Sequence, residues 1–180
     1  IFLDGLCHAV DPFFFWAAGK LEALRLTPAP CVMLDADLIV WSPLASRLGA
    51  QPVAAHSEAL FPDIYPDPAD TFSLDPGYAF PPEWDFSLPA ANTAFLYLPD
   101  AALKDSYTDA AFRFMRALRG SGYSPTVTMC FAEQRLLPLC AAERGYRLGY
   151  LIDEQAKDSQ QLVTHLWGFK RTLEAPQVGD

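Results

Sequence analysis

Cys31-Val32-Met33-Leu34-Asp35-Ala36-Asp37 is the stretch on which the reading of this chain turns. Four consecutive apolar residues are too few for a helix, and they run straight into acid. That is the pattern of a buried parallel strand whose carboxyl end opens onto a site. In extended backbone, positions i and i+2 point to the same side, so Asp35 and Asp37 are expected on one face. Two carboxylates held that close repel each other, and a hard divalent cation relieves the repulsion. Oxygen ligands suit Mg²⁺ or Mn²⁺.

Outward from this strand, helical and extended patterns alternate. Asp11-Pro12 signals a helix start ahead of an apolar-periodic run over 13–26, and Pro28 and Pro30 stop it. Residues 38–41 continue extended, Ser42-Pro43-Leu44 opens a short helix, and 52–55 and 95–98 read as further strands. Leu103, Tyr107, Ala111, Phe114, Met115 and Leu118 fall on one helical face, which Gly120 closes. Residues 126–137 read as a helix that Pro138 kinks or divides, ending near Gly145, and 146–152 as a last strand. The alternation predicts an α/β fold: one domain over 1–180, with a mainly parallel central sheet flanked by helices.

Residues 61–89 have a different texture. Prolines from Pro62 to Pro89 alternate with Tyr65, Phe72, Tyr78, Phe80, Trp84 and Phe86. Proline opposes regular elements, while so many aromatics imply packing, so an ordered loop serving as a lid or substrate-binding wall is expected.

Composition excludes several classes. A length of 180 residues supports one full core, and 51% hydrophobic with 19% charged residues argues against disorder. A net charge of -9 argues against a nucleic-acid surface, which needs clustered Lys and Arg. No apolar stretch reaches the roughly 18 residues of a membrane span. Cys7, Cys31, Cys130 and Cys140 lie far apart among apolar neighbours, which favours buried free thiols and a reducing, cytoplasmic setting. The sequence opens on Ile1-Phe2-Leu3, which reads as the middle of an element and implies a missing N-terminal strand or two.

A second motif lies far downstream, in Thr164-His165-Leu166-Trp167-Gly168-Phe169-Lys170. A neutral imidazole can complete a metal's ligand set, Gly168 permits close backbone approach, and Lys170 can neutralise a phosphate oxygen. Together the two motifs resemble the GT-A glycosyltransferases, notably the glycogenin and lipopolysaccharide-galactosyltransferase group and its uncharacterised bacterial relatives. That group has an apolar strand ending in Asp-x-Asp and a C-terminal His-x-x-Gly-x-Lys. The resemblance implies that Asp35, Asp37 and His165 hold Mn²⁺ (or Mg²⁺), with Lys170 and Gly168 at the donor diphosphate. It also implies that Lys20, on the preceding helix, lies near the donor, and that Asn92 binds sugar or acceptor. Glu133-Gln134 resembles the family's acid-Gln helix start, where the acid faces the acceptor.

The expected activity is metal-dependent transfer of a sugar from a nucleotide-diphosphate donor to a glycan or other hydroxyl acceptor, with retention of configuration the outcome towards which the resemblance leans. Glu133 and Glu58 are the acceptor-side candidates. The family's nucleotide-gripping first strand is not visible here, and the 61–89 stretch matches no feature of the group. Two other readings compete. A HAD-type phosphatase also places Asp-x-Asp after an apolar strand, but Asp153-Glu154 is a poor second acidic pair and His165 to Lys170 would have no role. A non-catalytic sugar- or partner-binding module of the same fold would use Tyr78, Trp84 and Phe86.

Overall fold

The computed structural model describes residues 4–122, 124–152 and 162–166. A four-stranded sheet forms its centre, built from β1 (Cys31–Leu34), β5 (Ala90–Leu98), β3 (Val53–Glu58) and β7 (Gly149–Tyr150), in that spatial order. The fold is mixed α/β, but the expectation of a mainly parallel sheet is corrected. β5 runs antiparallel to both β1 and β3, and only β3 and β7 pair in parallel. The reason is a single reversed strand. β1, β3 and β7 share one direction, as the alternating sequence pattern suggested, and β5 inserts against it between the first two. β5 takes the central place because nearly all of its nine residues are buried, on both faces.

Helices cover one face of this sheet. α2 (Ala18–Leu26) buries Ala18, Leu21 and Leu24. It starts five residues later than the periodicity suggested, because Asp11 captures the chain first. The Asp11 carboxylate accepts from Phe13 N at 2.8 Å and its carbonyl from Phe15 N at 3.0 Å, closing a separate turn. α4 (Ala101–Ala117) begins at Asp100, whose side chain caps Leu103 N at 3.0 Å, and buries the predicted face through Leu103, Tyr107, Ala111 and Phe114. Gly120 does not close this helix as expected. α4 stops at Ala117 and the chain turns extended as β6 (Leu118–Ser121), which pairs with β4 (Phe72–Leu74). On the opposite face a smaller cluster, with Leu38, Val53, Phe95 and Val163, packs under a ribbon of β2 (Leu38–Val40) and β8 (Val163–His165).

The proline-rich segment is ordered and holds regular elements that its prolines were expected to forbid. Pro68 sits at the first position of a one-turn helix, α3 (Pro68–Thr71), where its missing N–H costs nothing. β4 follows directly. Phe72, Phe80 and Phe86 pack with Phe114 and Phe131, the tightest pair being Phe114–Phe131 at 4.7 Å between centroids. Trp84 is buried and donates its indole N–H to Glu143 at 3.0 Å.

The last helical stretch explains Pro138. α5 (Pro125–Cys130), a π-turn over Phe131–Arg135 and α6 (Leu136–Glu143) follow without a break, and Pro138 lies inside α6. In an α-helix its ring would clash with the carbonyl four residues back. The turn widens instead: Leu136 N–H reaches Phe131 O, five residues away. In this widened register Glu133 O faces position 138, which has no N–H to offer. The buried Tyr107 hydroxyl takes that place, donating to Glu133 O at 2.6 Å. Burial, with the Glu133 charge nearby, holds this hydroxyl protonated, its pKa well above the ordinary tyrosine value. α6 ends where expected. Gly145, at φ 75°, lets Tyr146 N reach back to Ala141 O and Gly145 N to Ala142 O.

Cys31 and Cys140 are buried and Cys130 half-buried, all as free thiols; the Cys7 side chain lies outside what is described. Among the described residues, no helix is long and apolar enough to cross a membrane.

Candidate metal centre and its cleft

Asp35 and Asp37 come together by a turn. The expectation of continuous extended backbone is corrected at this point. Asp35 N still bonds Ala94 O at 2.8 Å, extending the β1–β5 ladder, and then Leu38 N folds back to Asp35 O at 3.1 Å. The turn hands the chain to β2, whose pairing with β8 sets Leu38 opposite His165. Leu166 N donates to Asp37 O at 3.0 Å and fastens the junction. His165 therefore stands beside Asp37, with Nε2 3.6 Å from Oδ1, although the two are distant in sequence.

One ligand atom from each of Asp35, Asp37 and His165 lies within 4.8 Å of the others. Two carboxylates and an imidazole suit a divalent ion that accepts both oxygen and nitrogen, as Mn²⁺ does. All three are partly shielded from water, with side-chain exposures of 30%, 15% and 11%. They line a cleft of about 610 Å³ at the carboxyl end of β1, the place where open α/β sheets bind ligands.

Lys20 reaches this cleft from α2 and is already engaged. Its ammonium sits 2.5 Å from Asp35 Oδ1, bonds Glu133 Oε1, and donates to Thr93 O at 3.2 Å. Its three hydrogens are thus matched by three oxygens. Burial pulls the Lys20 pKa down, but the Glu133 and Asp35 carboxylates outweigh it and hold the pKa above the ordinary 10.5. Lys20 is a brace between a candidate metal ligand and Glu133, a stricter role than proximity to a donor.

Three consecutive residues of the π-turn spread in different directions. Glu133 enters the cleft: its Oε1 accepts from Lys20 and from Thr93 Oγ1 at 2.7 Å, while Oε2 accepts from no described residue. Gln134 also lines the cleft, and its Oε1 accepts from Tyr65 of the proline-rich segment at 2.5 Å. Arg135 turns away and donates to the carbonyls of Phe86 and Leu88.

Asn92 lines the cleft, but it is buried and its amide is occupied. Nδ2 donates to Glu58 Oε1 at 3.1 Å and Oδ1 accepts from Ala94 N at 3.0 Å. Glu58 stands behind Asn92, with His56 beside it, and is not among the residues lining the cleft. Gly168 and Lys170, expected at the diphosphate, lie outside the described residues, as do Asp153 and Glu154. Sequence reasoning missed the brace itself, the part of Thr93 in it, and the hold of Tyr65 on Gln134. The one signal available was Pro138, placed so that a regular helix could not pass residues 133 and 134.

No family model, no curated protein and no solved structure matches this chain.

Proposed function

We propose that this chain is a metal-dependent glycosyltransferase that moves a sugar from a nucleotide-diphosphate donor to a hydroxyl acceptor. The observation that carries the proposal is the convergence of Asp35, Asp37 and His165 at the mouth of a cleft that also holds Glu133. Asp35, Asp37 and His165 would hold Mn²⁺ or Mg²⁺, which supplies electrostatic stabilisation to a departing diphosphate. Lys20 holds Asp35 and Glu133 in place through its ammonium. Glu133, anchored through one carboxylate oxygen, presents the other to the cleft, where it can accept a proton from an attacking hydroxyl or stabilise positive charge on the sugar. Tyr65 fixes the amide of Gln134, leaving its nitrogen available to a sugar hydroxyl.

Titration calorimetry of UDP, GDP and CMP with Mn²⁺ tests this reading. One nucleotide is expected to bind in Mn²⁺ and to be released by a chelator. Asp37→Ala and His165→Ala should each weaken that binding by at least about tenfold. Asp35→Ala should do the same, although it also removes a partner of Lys20. Unchanged Mn²⁺-dependent binding in these variants would remove the basis of the proposal. Phosphate release from an aryl phosphate, lost in Asp35→Ala, would point instead to a phosphatase; saccharide binding indifferent to nucleotide would point to a non-catalytic module.

A further inference from the structure

Trp16 lies on the same cleft and nothing above uses it. It is 65% exposed, yet lines the cavity with Lys20, Asp35 and Glu133. An exposed aromatic alone is unremarkable, but this one is held firmly. Phe15, the residue before it, is 2% exposed and packs on Phe114 at 6.0 Å between centroids. Asp11 ties down the turn that leads to it, and Ala18 N bonds Phe15 O at 2.9 Å on its far side. The backbone on both sides of Trp16 is fixed while its indole stands at the cleft with much of its surface open.

The polar groups that share the cleft with Trp16 narrow the ligand. Thr126 offers a hydroxyl and Gln134 an amide nitrogen, both neutral. Lys20, the one lysine or arginine among the described lining residues, is spent on Asp35 and Glu133. A flat apolar surface beside neutral donors and acceptors fits a sugar ring, whose axial C–H face is apolar and whose rim is hydroxylated. With Lys20 so engaged, no lysine or arginine among the described lining residues is left over to recognise an anionic acceptor.

We infer that Trp16 is the stacking platform of an acceptor subsite for a neutral saccharide, an inference that rests on the sugar-transfer reading. Saturation-transfer NMR on the full chain, with diamagnetic Mg²⁺ and whichever of UDP, GDP or CMP binds the wild type, would be run against two sets of probes. The neutral set is lactose, cellobiose, maltose and diacetylchitobiose; the anionic set is sialyllactose and a sulfated heparin disaccharide. At least one neutral saccharide is expected to bind, about tenfold more weakly in Trp16→Ala and near wild type in Trp16→Phe. The affinity for that nucleotide, measured by calorimetry in the same variants, should not move.

Three outcomes overturn the inference: binding of the anionic set alone, equal saccharide binding in Trp16→Ala, or no saccharide binding to a wild-type chain that does bind the metal and one of the three nucleotides. A loss of affinity for that nucleotide in Trp16→Ala would assign the indole to the nucleobase and overturn it as well. If Mn²⁺ and all three nucleotides fail to bind the wild type, the sugar-transfer reading itself fails, which is a separate result.

Discussion

Arg135→Met is expected to lower the unfolding free energy by about 3 kcal/mol, because it leaves two half-buried carbonyls without their donor. Arg135 is 3% exposed and, among the described residues, has no carboxylate partner. Its guanidinium instead donates to Phe86 O at 2.7 Å and to Leu88 O, closing the end of the proline-rich segment against the π-turn. Burial pulls its pKa below the ordinary arginine value, with Tyr65 and Asp85 opposing, but a guanidinium remains charged throughout the working range. Methionine fills a similar volume, so the loss reports the hydrogen bonds more than a cavity. Arg135→Lys should recover only part of it, since an ammonium lacks the planar fork that spans both carbonyls. Urea denaturation measures the change, and a drop in Tm of about 9 °C is expected beside it. A loss below about 1 kcal/mol would mean that the segment is held by its aromatic contacts alone.

Lys20→Met is expected to cost about 3 kcal/mol as well, by a different route. It strands Asp35 and Glu133, two carboxylates that share one ammonium, and breaking a shielded ion pair on one side leaves charge uncompensated. The pH dependence has a definite sign. Lys20 has a folded pKa above its ordinary 10.5, so its contribution is fully present below that pH and fades as pH rises through the folded value. Wild type and Lys20→Met should therefore converge in stability as pH rises into strong alkali. Mn²⁺ gives a second readout. Without the ammonium, Asp35 Oδ1 is open to a cation, and millimolar Mn²⁺ should restore part of the stability lost by the variant. Calorimetric Tm with and without Mn²⁺ measures this, and a variant indifferent to Mn²⁺ would separate Lys20 from the metal centre.

The grouping of Asp35, Asp37 and His165 was more legible in the sequence than the fold that presents it. An apolar run ending in acid was enough to place Asp35 and Asp37 at the end of β1. His165 could be nominated from its motif, but what brings it to Asp37 is the β2–β8 pairing, a long-range register that no local pattern encodes. The direction of β5 was hidden for a related reason. A strand buried on both faces reads as a continuous apolar run whichever way it points. The helix end expected at Gly120 became a strand because β4 offered it a partner, and β4 itself lay in a stretch that the prolines made look irregular. At Pro138 the local signal was present, but its effect was not: the residue displaces the helix around positions 133 and 134 without ending it.

The place of β1 in the sheet bears on how this protein behaves in concentrated solution. Among the described strands β1 pairs with β5 alone, while Val32 and Leu34 are 44% and 50% exposed and no charge or proline interrupts the strand. An open edge of this kind is a template for another chain's backbone. Light scattering is expected to rise with concentration for the wild type and to stay flat for Val32→Lys, in which a charge makes edge-to-edge stacking unfavourable. Equal scattering from the two would show that the edge is covered in solution, and the practical gain would then be lost: a single substitution that keeps samples monodisperse for binding measurements.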